Sequence, residues 1–149
     1  MSSASKFEKA GQIEEAIKLY EKAAASEVNK ASVLKANRHL AILYDLSDQN
    51  EKAQAAFQFA MKKGSPDADL LNDYGYFLLK NQKVTEANRI LSTAHERFPE
   101  NQRIATNLAM ARIASNEVEE GYLLFESIVG KAAAASNVGA VLLLSLIHI

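Results

Sequence analysis

The chain has 149 residues, of which 48% are hydrophobic and 23% are charged, a composition typical of a globular domain. Its formal net charge is −1, so it has no excess of positive charge that would favour binding to nucleic acid or to an anionic membrane. No stretch approaches the roughly 20 apolar residues of a membrane span. The absence of cysteine excludes disulfides, thiolate catalysis and cysteine-ligated zinc, and only six glycines and two prolines favour an all-helical chain.

The first element in chain order is a turn followed by a helix, from Gly11 to Ala23. Residues 1–10 then supply only part of the helix that precedes this turn. Ala16 and the corresponding Ala53 lie 37 residues apart, whereas later copies of the pattern are spaced by 34. We therefore expect extra residues in a loop at Ser26–Ser32.

From residue 40 onward, one pattern recurs three times with a period of 34 residues. In each copy, small and large apolar residues share one face of a first helix and one face of a second. The small residues let the two helices approach closely, and the large ones fill the space beside them. The first-helix copies are Leu40-Ala41-x-x-Tyr44, Tyr74-Gly75-x-x-Leu78 and Leu108-Ala109-x-x-Arg112, and the second-helix copies are Ala53/Phe57/Ala60, Ala87/Leu91/Ala94 and Gly121/Phe125/Ile128. The pattern predicts helical hairpins that stack on one another.

Short polar segments separate these helices. Asp48-Gln49-Asn50, Asn81-Gln82-Lys83 and Ser115-Asn116 join a first helix to a second, whereas Gly64–Asp67 and Phe98–Asn101 end second helices with a proline. We expect about nine helices, which meet as pairs in the windows 11–46, 49–80 and 83–114. A final first helix at 132–144 lacks a partner helix.

One copy of the pattern places a small residue, an alanine and a proline at steps of twelve, as Gly75, Ala87 and Pro99. Together with Phe57 and the turn Gly11-x-x-x-Glu15-Ala16, these residues resemble the tetratricopeptide repeat family, and the resemblance covers nearly the whole chain. It implies an all-α solenoid of antiparallel hairpins in a right-handed superhelix. The implied units are roughly 1–33, 34–67, 68–101 and 102–131, with a partial unit at 132–143.

Three features depart from the family pattern. The frequent tryptophan near the start of each unit is absent, Arg112 stands in place of an aromatic or apolar residue, and Gly121 stands in place of alanine. The third copy is therefore the least regular of the three.

The last six residues, 144–149, read as an apolar string where a polar turn and a second helix are expected. Leu-Ser-Leu-Ile-His-Ile resembles the translation of a transposase adapter used in sequencing libraries. We therefore expect a non-native tail on a fragment of a longer protein, and the alternative is a native end of the last helix.

The histidine and glutamate side chains that could act in catalysis do not form a recognisable catalytic site. We interpret His39 as a helix-surface residue, and His95 as a cation suited to the end of its helix. The neighbouring carboxylates Glu14-Glu15 and Glu119-Glu120 point about 100° apart on a helix, so neither pair converges for acid–base work. No phosphate-binding, dinucleotide-binding or hydrolase motif occurs. The prediction is a protein that is not an enzyme, with no cofactor and no metal.

The resemblance implies that the exposed faces of the first helices line a concave groove and carry binding specificity. The predicted lining residues are Lys35, Arg38, Ile42, Asp45, Asn72, Asp73, Tyr76, Leu79, Arg103, Thr106, Asn107 and Met110. Their charge is mixed, and an apolar strip of Ile42, Tyr76 and Met110 suits a peptide. Two alternatives stay open. Tyr76 is either an aromatic anchor or an ordinary surface residue beside the core residues Tyr74 and Phe77, and the face is either a groove or a solvated surface.

One subclass of the family clamps the C-terminal carboxylate of chaperone tails. Arg38 and Arg103 lie near suitable places, but Asp73 would repel a carboxylate, so we reject this subclass. Asn107 and Asn137 resemble the asparagine ladder that holds peptide backbone in some members of the family, but His39 and Asp73 interrupt it.

The leading hypothesis is a bacterial-type scaffold or adaptor that binds a peptide or protein segment. By analogy with the family, its setting would be pilus, secretion or envelope assembly. The alternative is a regulatory or targeting segment of a larger enzyme, such as a glycosyltransferase or a kinase. The expected partner is a protein. Without a partner helix, the last helix would expose Val138, Val141, Leu142 and the tail, which predicts self-association. The compartment is cytoplasmic by default, or periplasmic if a signal-bearing segment precedes Met1.

Overall fold

The computed structural model describes the backbone of residues 3–26 and 29–147, with all side chains except those of Lys131, Ala132 and residues 144–147. Within these ranges the chain forms nine helices and no strand, which confirms the predicted all-α helical repeat fold. None of the described helices is long and apolar enough to cross a membrane. The helices are α1 (Ser3–Lys9), α2 (Ile13–Ala24), α3 (Lys30–Leu46), α4 (Asn50–Lys63), α5 (Ala68–Lys80), α6 (Val84–Arg97), α7 (Gln102–Ala114), α8 (Val118–Val129) and α9 (Lys131–Ile147).

The helices belong to two compact units, Met1–Leu70 and Leu71–Ile149. In the first unit, α2 packs against α1 and α3, and α3 packs against α4. In the second unit, α7 packs against α6, α8 and α9. The helix pairs α2/α3, α4/α5 and α6/α7 fall inside the three predicted windows. The single solenoid over residues 1–143, with its unit boundaries, stays a prediction.

Each turn from a first helix to a second uses the same backbone device. Gly11, Asp48, Gln82 and Asn116 have positive φ angles of 72°, 58°, 60° and 68°. The N–H of the residue after each one donates to the carbonyl oxygen five positions earlier, as from Gln49 to Tyr44 at 2.8 Å. This pairing is the Schellman motif, which satisfies carbonyl groups at the end of a helix. The sequence predicted polar turns here but not their left-handed backbone.

The first helices begin differently, with a side chain that caps them. Asn29, Asp67 and Asn101 accept hydrogen bonds from backbone N–H groups in the first turns of α3, α5 and α7. Because Asn29 caps it, α3 starts at Lys30. The expected loop at Ser26–Ser32 was therefore too long, since its last three residues are helical.

Small residues set the helix spacing, as predicted. Ala41, Ala53, Ala87 and Ala109 are fully buried. A Cβ atom on Gly75 would lie 2.5 Å from Leu91 Cγ, which is closer than side chains can approach. Close packing of α5 on α6 therefore depends on this glycine.

Both departures in the third copy have a physical reason. A Cβ atom on Gly121 would lie 2.5 Å from Ile113 Cγ1 and 2.8 Å from the carbonyl oxygen of Ala109, so alanine does not fit there. The guanidinium of Arg112 donates to Glu117 at 2.8 Å across the turn between α7 and α8. Arg112 thus replaces an apolar contact of the hairpin with an ion pair.

The last helix, α9, begins and ends beyond the expected limits of 132–144. It packs against α7 and α8, where Ala134 joins a buried cluster with Ala109, Ile113 and Phe125. Val138 and Val141 pack against this cluster, so the expectation that they are exposed was wrong, whereas Leu142 and Leu143 are exposed. Part of the apolar surface of α9 is thus covered by α7 and α8 instead of by a following second helix.

The expected non-native tail falls largely outside the described residues. The backbone of residues 144–147 continues α9, but their side chains, and all of His148 and Ile149, are not described. The adapter origin of these residues and self-association through α9 stay predictions.

Candidate functional site

Four polar side chains of the second unit join the faces of α5 and α7. Asn107 Nδ2 donates to Asn72 Oδ1 at 2.8 Å, and Asn72 Nδ2 donates to Asp73 Oδ1 at 3.2 Å. Arg103 Nη2 donates to the same Asp73 oxygen at 3.2 Å. We call these residues the asparagine network, because Asn72 links its two halves. The network fixes side chains that are 30 and 35 residues apart in the sequence.

Burial within this network is uneven, and it differs from the sequence expectation at one position. Asn72 was expected on the exposed face but is only 3% exposed, and it is the one buried polar residue recorded among the described part of the chain. Both groups of its amide are hydrogen-bonded, which offsets the cost of removing them from water. Asn72 therefore holds the side chains of Asn107 and Asp73 in place from a buried position.

Apolar side chains lie beside the network on the same helices. Tyr76 is 47% exposed, while its neighbours Tyr74 and Phe77 are buried, as predicted. Leu79 and Met110 are half-buried, and Met110 packs on the cluster around Ala109. Tyr76 is thus the large apolar group of this face that is most available to a partner. Thr106 on α7 is half-buried as well.

The corresponding face of the first unit lies on α3. Lys35 and Ile42 are exposed, and Asp45 is half-buried. Arg38 Nη2 donates to Asp67 Oδ1 at 2.7 Å, and the same oxygen caps α5 by accepting from the N–H of Leu70.

The electrostatics at Asp67 favour its charged form. Partial burial raises the pKa of Asp67, but the hydrogen bonds from Arg38 and from the N–H of Leu70 outweigh it and hold the pKa below its ordinary value. Arg38 and Arg103 each have a carboxylate partner, so neither is a free cation for a ligand carboxylate.

The comparison with known protein families completes this description. The family model for the tetratricopeptide repeat matches residues 78–143, which include α6, α7 and α8. Residues 78–143 therefore carry the tetratricopeptide repeat pattern.

Solved structures place the same fold over more of the chain. One match is the crystal structure of YrrB, described as a TPR protein with an unusual peptide-binding site. The TM-score is 0.78 and the sequence identity 20%, and the match covers 93% of this chain and 72% of YrrB. No curated protein matches this sequence. At this identity the likeness to YrrB establishes the repeat fold.

A second polar cluster, in the first unit, was missed by sequence reasoning. The ring of His39 stacks on the ring of Tyr20, with centroids 4.6 Å apart and planes within 4°. Both side chains converge on Glu8, since the Tyr20 hydroxyl donates to it at 2.9 Å and His39 Nδ1 lies 3.1 Å from it. Helices α1, α2 and α3 are joined by this cluster. His39 was interpreted as an ordinary surface residue, and no local pattern signals a contact between three helices.

The paired carboxylates singled out in the sequence lie at helix ends. Glu14-Glu15 and Glu119-Glu120 lie in the first turns of α2 and α8, where negative charge favours the helix. No group of three or more potential metal-ligating side chains occurs in the part of the chain that the structure describes.

Proposed function

We propose that this chain is an interaction scaffold of the tetratricopeptide repeat type, which binds a peptide or protein segment on the exposed faces of its first helices. The asparagine network beside the exposed Tyr76 carries the proposal. It offers a pre-positioned amide at Asn107 and an aromatic anchor at Tyr76 on neighbouring helices. The description of YrrB as a TPR protein with a peptide-binding site supports it.

The chemistry of the face indicates what kind of segment fits. Asn107 uses its Nδ2 group on Asn72, and the described contacts leave its Oδ1 able to accept a backbone N–H. The charge of Arg103 is offset by Asp73, so neutral backbone groups are better ligands than terminal carboxylates. The face therefore suits the interior of an extended peptide that places an apolar side chain against Tyr76.

The biological setting is proposed from the resemblance alone. Bacterial pilus, secretion or envelope assembly is where we would first look for the partner, because repeat scaffolds of this kind occur there. The proposed role needs no catalytic step by this chain.

Selection of peptides on the whole chain tests the function. Peptides from a random display library are selected, and their affinities are measured by fluorescence anisotropy. The Tyr76→Ala/Asn107→Ala variant is expected to bind about tenfold more weakly, because truncating one or two anchors costs about 1.4 kcal/mol. Circular dichroism checks that the variant is folded.

Matched substitutions on α4 are the control. Phe59 is an exposed aromatic residue and Asn50 an exposed asparagine, and neither belongs to the proposed face. Phe59→Ala/Asn50→Ala should leave the affinity unchanged. Equal affinity of both folded double variants and the unmodified chain would place the binding surface elsewhere.

A further inference from the structure

The second unit carries a cavity that the proposed peptide-binding face does not include. It has a volume of about 420 Å³ and opens to solvent between α6, α7 and α8. This volume lies at the lower end of the range for small-ligand pockets, roughly 300–1,000 Å³. None of the predicted groove residues lines it.

Leucine side chains form the apolar part of the cavity. Leu108 is buried beneath it, and Leu123 and Leu124 line it from α8. Leu123 is 55% exposed, whereas Leu108 beside it is almost completely buried. An aliphatic chain that covered Leu123 would remove apolar surface from water on both sides of the contact.

The charges around these leucines are not balanced. Arg112 lines the cavity, but its guanidinium is paired with Glu117 at 2.8 Å. Glu120 also lines the cavity and is exposed, with no ion pair in the described ranges. Glu117 lies outside the lining and offsets the charge of Arg112 by pairing with it. The carboxylate of Glu120 is then the lining charge without an ion pair among the described residues, so the cavity favours a cation.

A histidine at the wall leaves hydrogen-bonding capacity unused. His95 lines the cavity, and its Nδ1 atom is buried with no partner among the described residues. Buried polar atoms without partners are uncommon, because each costs free energy that a polar partner would restore. This wall is therefore polar, whereas the leucines opposite are not.

We propose that this cavity binds a lysine side chain of a partner polypeptide, together with an adjacent apolar residue. The aliphatic stem of lysine lies against Leu123 and Leu124, and its ammonium group reaches the carboxylate of Glu120. Lysine combines a four-carbon stem with a point charge, which is the combination this lining presents. The site lies on other helix faces than the proposed peptide-binding face, and it stands or fails independently of that proposal.

Three peptides that differ at one position test the inference. They are acetyl-Leu-Lys-Leu-amide and the same peptide with norleucine or glutamate in place of lysine. Binding to the whole chain is followed by NMR of leucine methyl groups. The lysine peptide should shift the methyl signals of Leu108, Leu123 and Leu124 and bind about threefold more tightly than the norleucine peptide, as expected for one exposed charge pair.

Two variants and a control locate the charge. Glu120→Gln should abolish the difference between the lysine and norleucine peptides, and Leu123→Ala should weaken both peptides. Glu119→Gln removes an exposed neighbouring carboxylate that does not line the cavity, and it should change neither affinity.

Three outcomes would overturn the proposal. The first is that none of the three leucines shifts with the lysine peptide. The second is a lysine preference that persists in Glu120→Gln. The third is binding of the glutamate peptide as tight as that of the lysine peptide, which would mean that an anion displaces Glu117 from Arg112.

Discussion

Asn107 Nδ2 donates a 2.8 Å hydrogen bond to the Oδ1 atom of Asn72, which lies 35 residues earlier and is almost completely buried. The bond joins α7 to α5 at the base of the proposed peptide-binding face. It stabilises the contact between the two helices, and in the proposed function it also positions the Asn107 amide for the peptide.

A double-mutant cycle measures this bond. Asn72→Ala and Asn107→Ala should each lower the free energy of unfolding, and the two effects should be non-additive by about 1 kcal/mol, the usual net value of a protein hydrogen bond. Urea denaturation of the four proteins provides the cycle. Strictly additive effects would show that the two amides do not interact in solution.

Gly121 provides a test of helix spacing. Gly121→Ala should destabilise the chain by about 1–3 kcal/mol, because the new methyl group meets Ile113 and the backbone oxygen of Ala109 and the backbone cannot easily move. Gly139 in α9 is the control, since a Cβ atom there has no neighbour within 4 Å. Gly139→Ala should be stabilising by roughly 0.5–1 kcal/mol, because alanine is the better helix former. Thermal or urea denaturation measures both changes in the free energy of unfolding. Changes of the same sign in the two variants would refute the packing argument.

Gln82 tests the left-handed turn. Its φ of 60° is unfavourable for a side chain that cannot bond locally as Asn or Asp can. Gln82→Gly should therefore raise the free energy of unfolding by up to about 1 kcal/mol, even though glycine adds entropy to the unfolded chain. Lys83→Gly, at a negative φ of −87°, should instead lower it. If Gln82→Gly is as destabilising as Lys83→Gly, the turn does not have this conformation.

Tyr44 links pH to stability in the first unit. Burial, together with the adjacent Glu21 carboxylate, raises the pKa of the Tyr44 hydroxyl to about 12 from 10.0. Above pH 10 the unfolded chain loses this proton first, so the contribution of Tyr44 to stability is complete below pH 10 and declines as the pH rises toward 12. The near-ultraviolet phenolate absorbance, taken as the difference from Tyr44→Phe, gives the pKa directly. Glu21→Gln should lower that pKa toward 10, and an unchanged value would remove Glu21 as a cause.

Much of the fold follows from local pattern. The period of 34 residues identified the helix pairs, and the small residues Ala53 and Ala87 marked close helix contacts correctly. These features could be predicted from the sequence because they depend on the spacing of residues within one segment of the chain.

Contacts between distant segments were less predictable. Periodicity placed Asn72 on the first-helix face, but its burial depends on Asn107 from another repeat. The stacking of His39 on Tyr20 likewise depends on how α2 and α3 meet. Val138 and Val141 were expected to be exposed, because the sequence showed no second helix to cover them and did not show that α9 would pack on α7.

The central claim is that a peptide binds on the faces of the first helices, and an NMR footprint tests it most directly. A selected peptide is titrated into the isotope-labelled chain, and the side-chain amide and aromatic signals are followed. We predict the largest shifts at Asn107 and Tyr76, with little change at Phe59. Shifts confined to residues outside the predicted lining, while Asn107 and Tyr76 remain unaffected, would contradict the account.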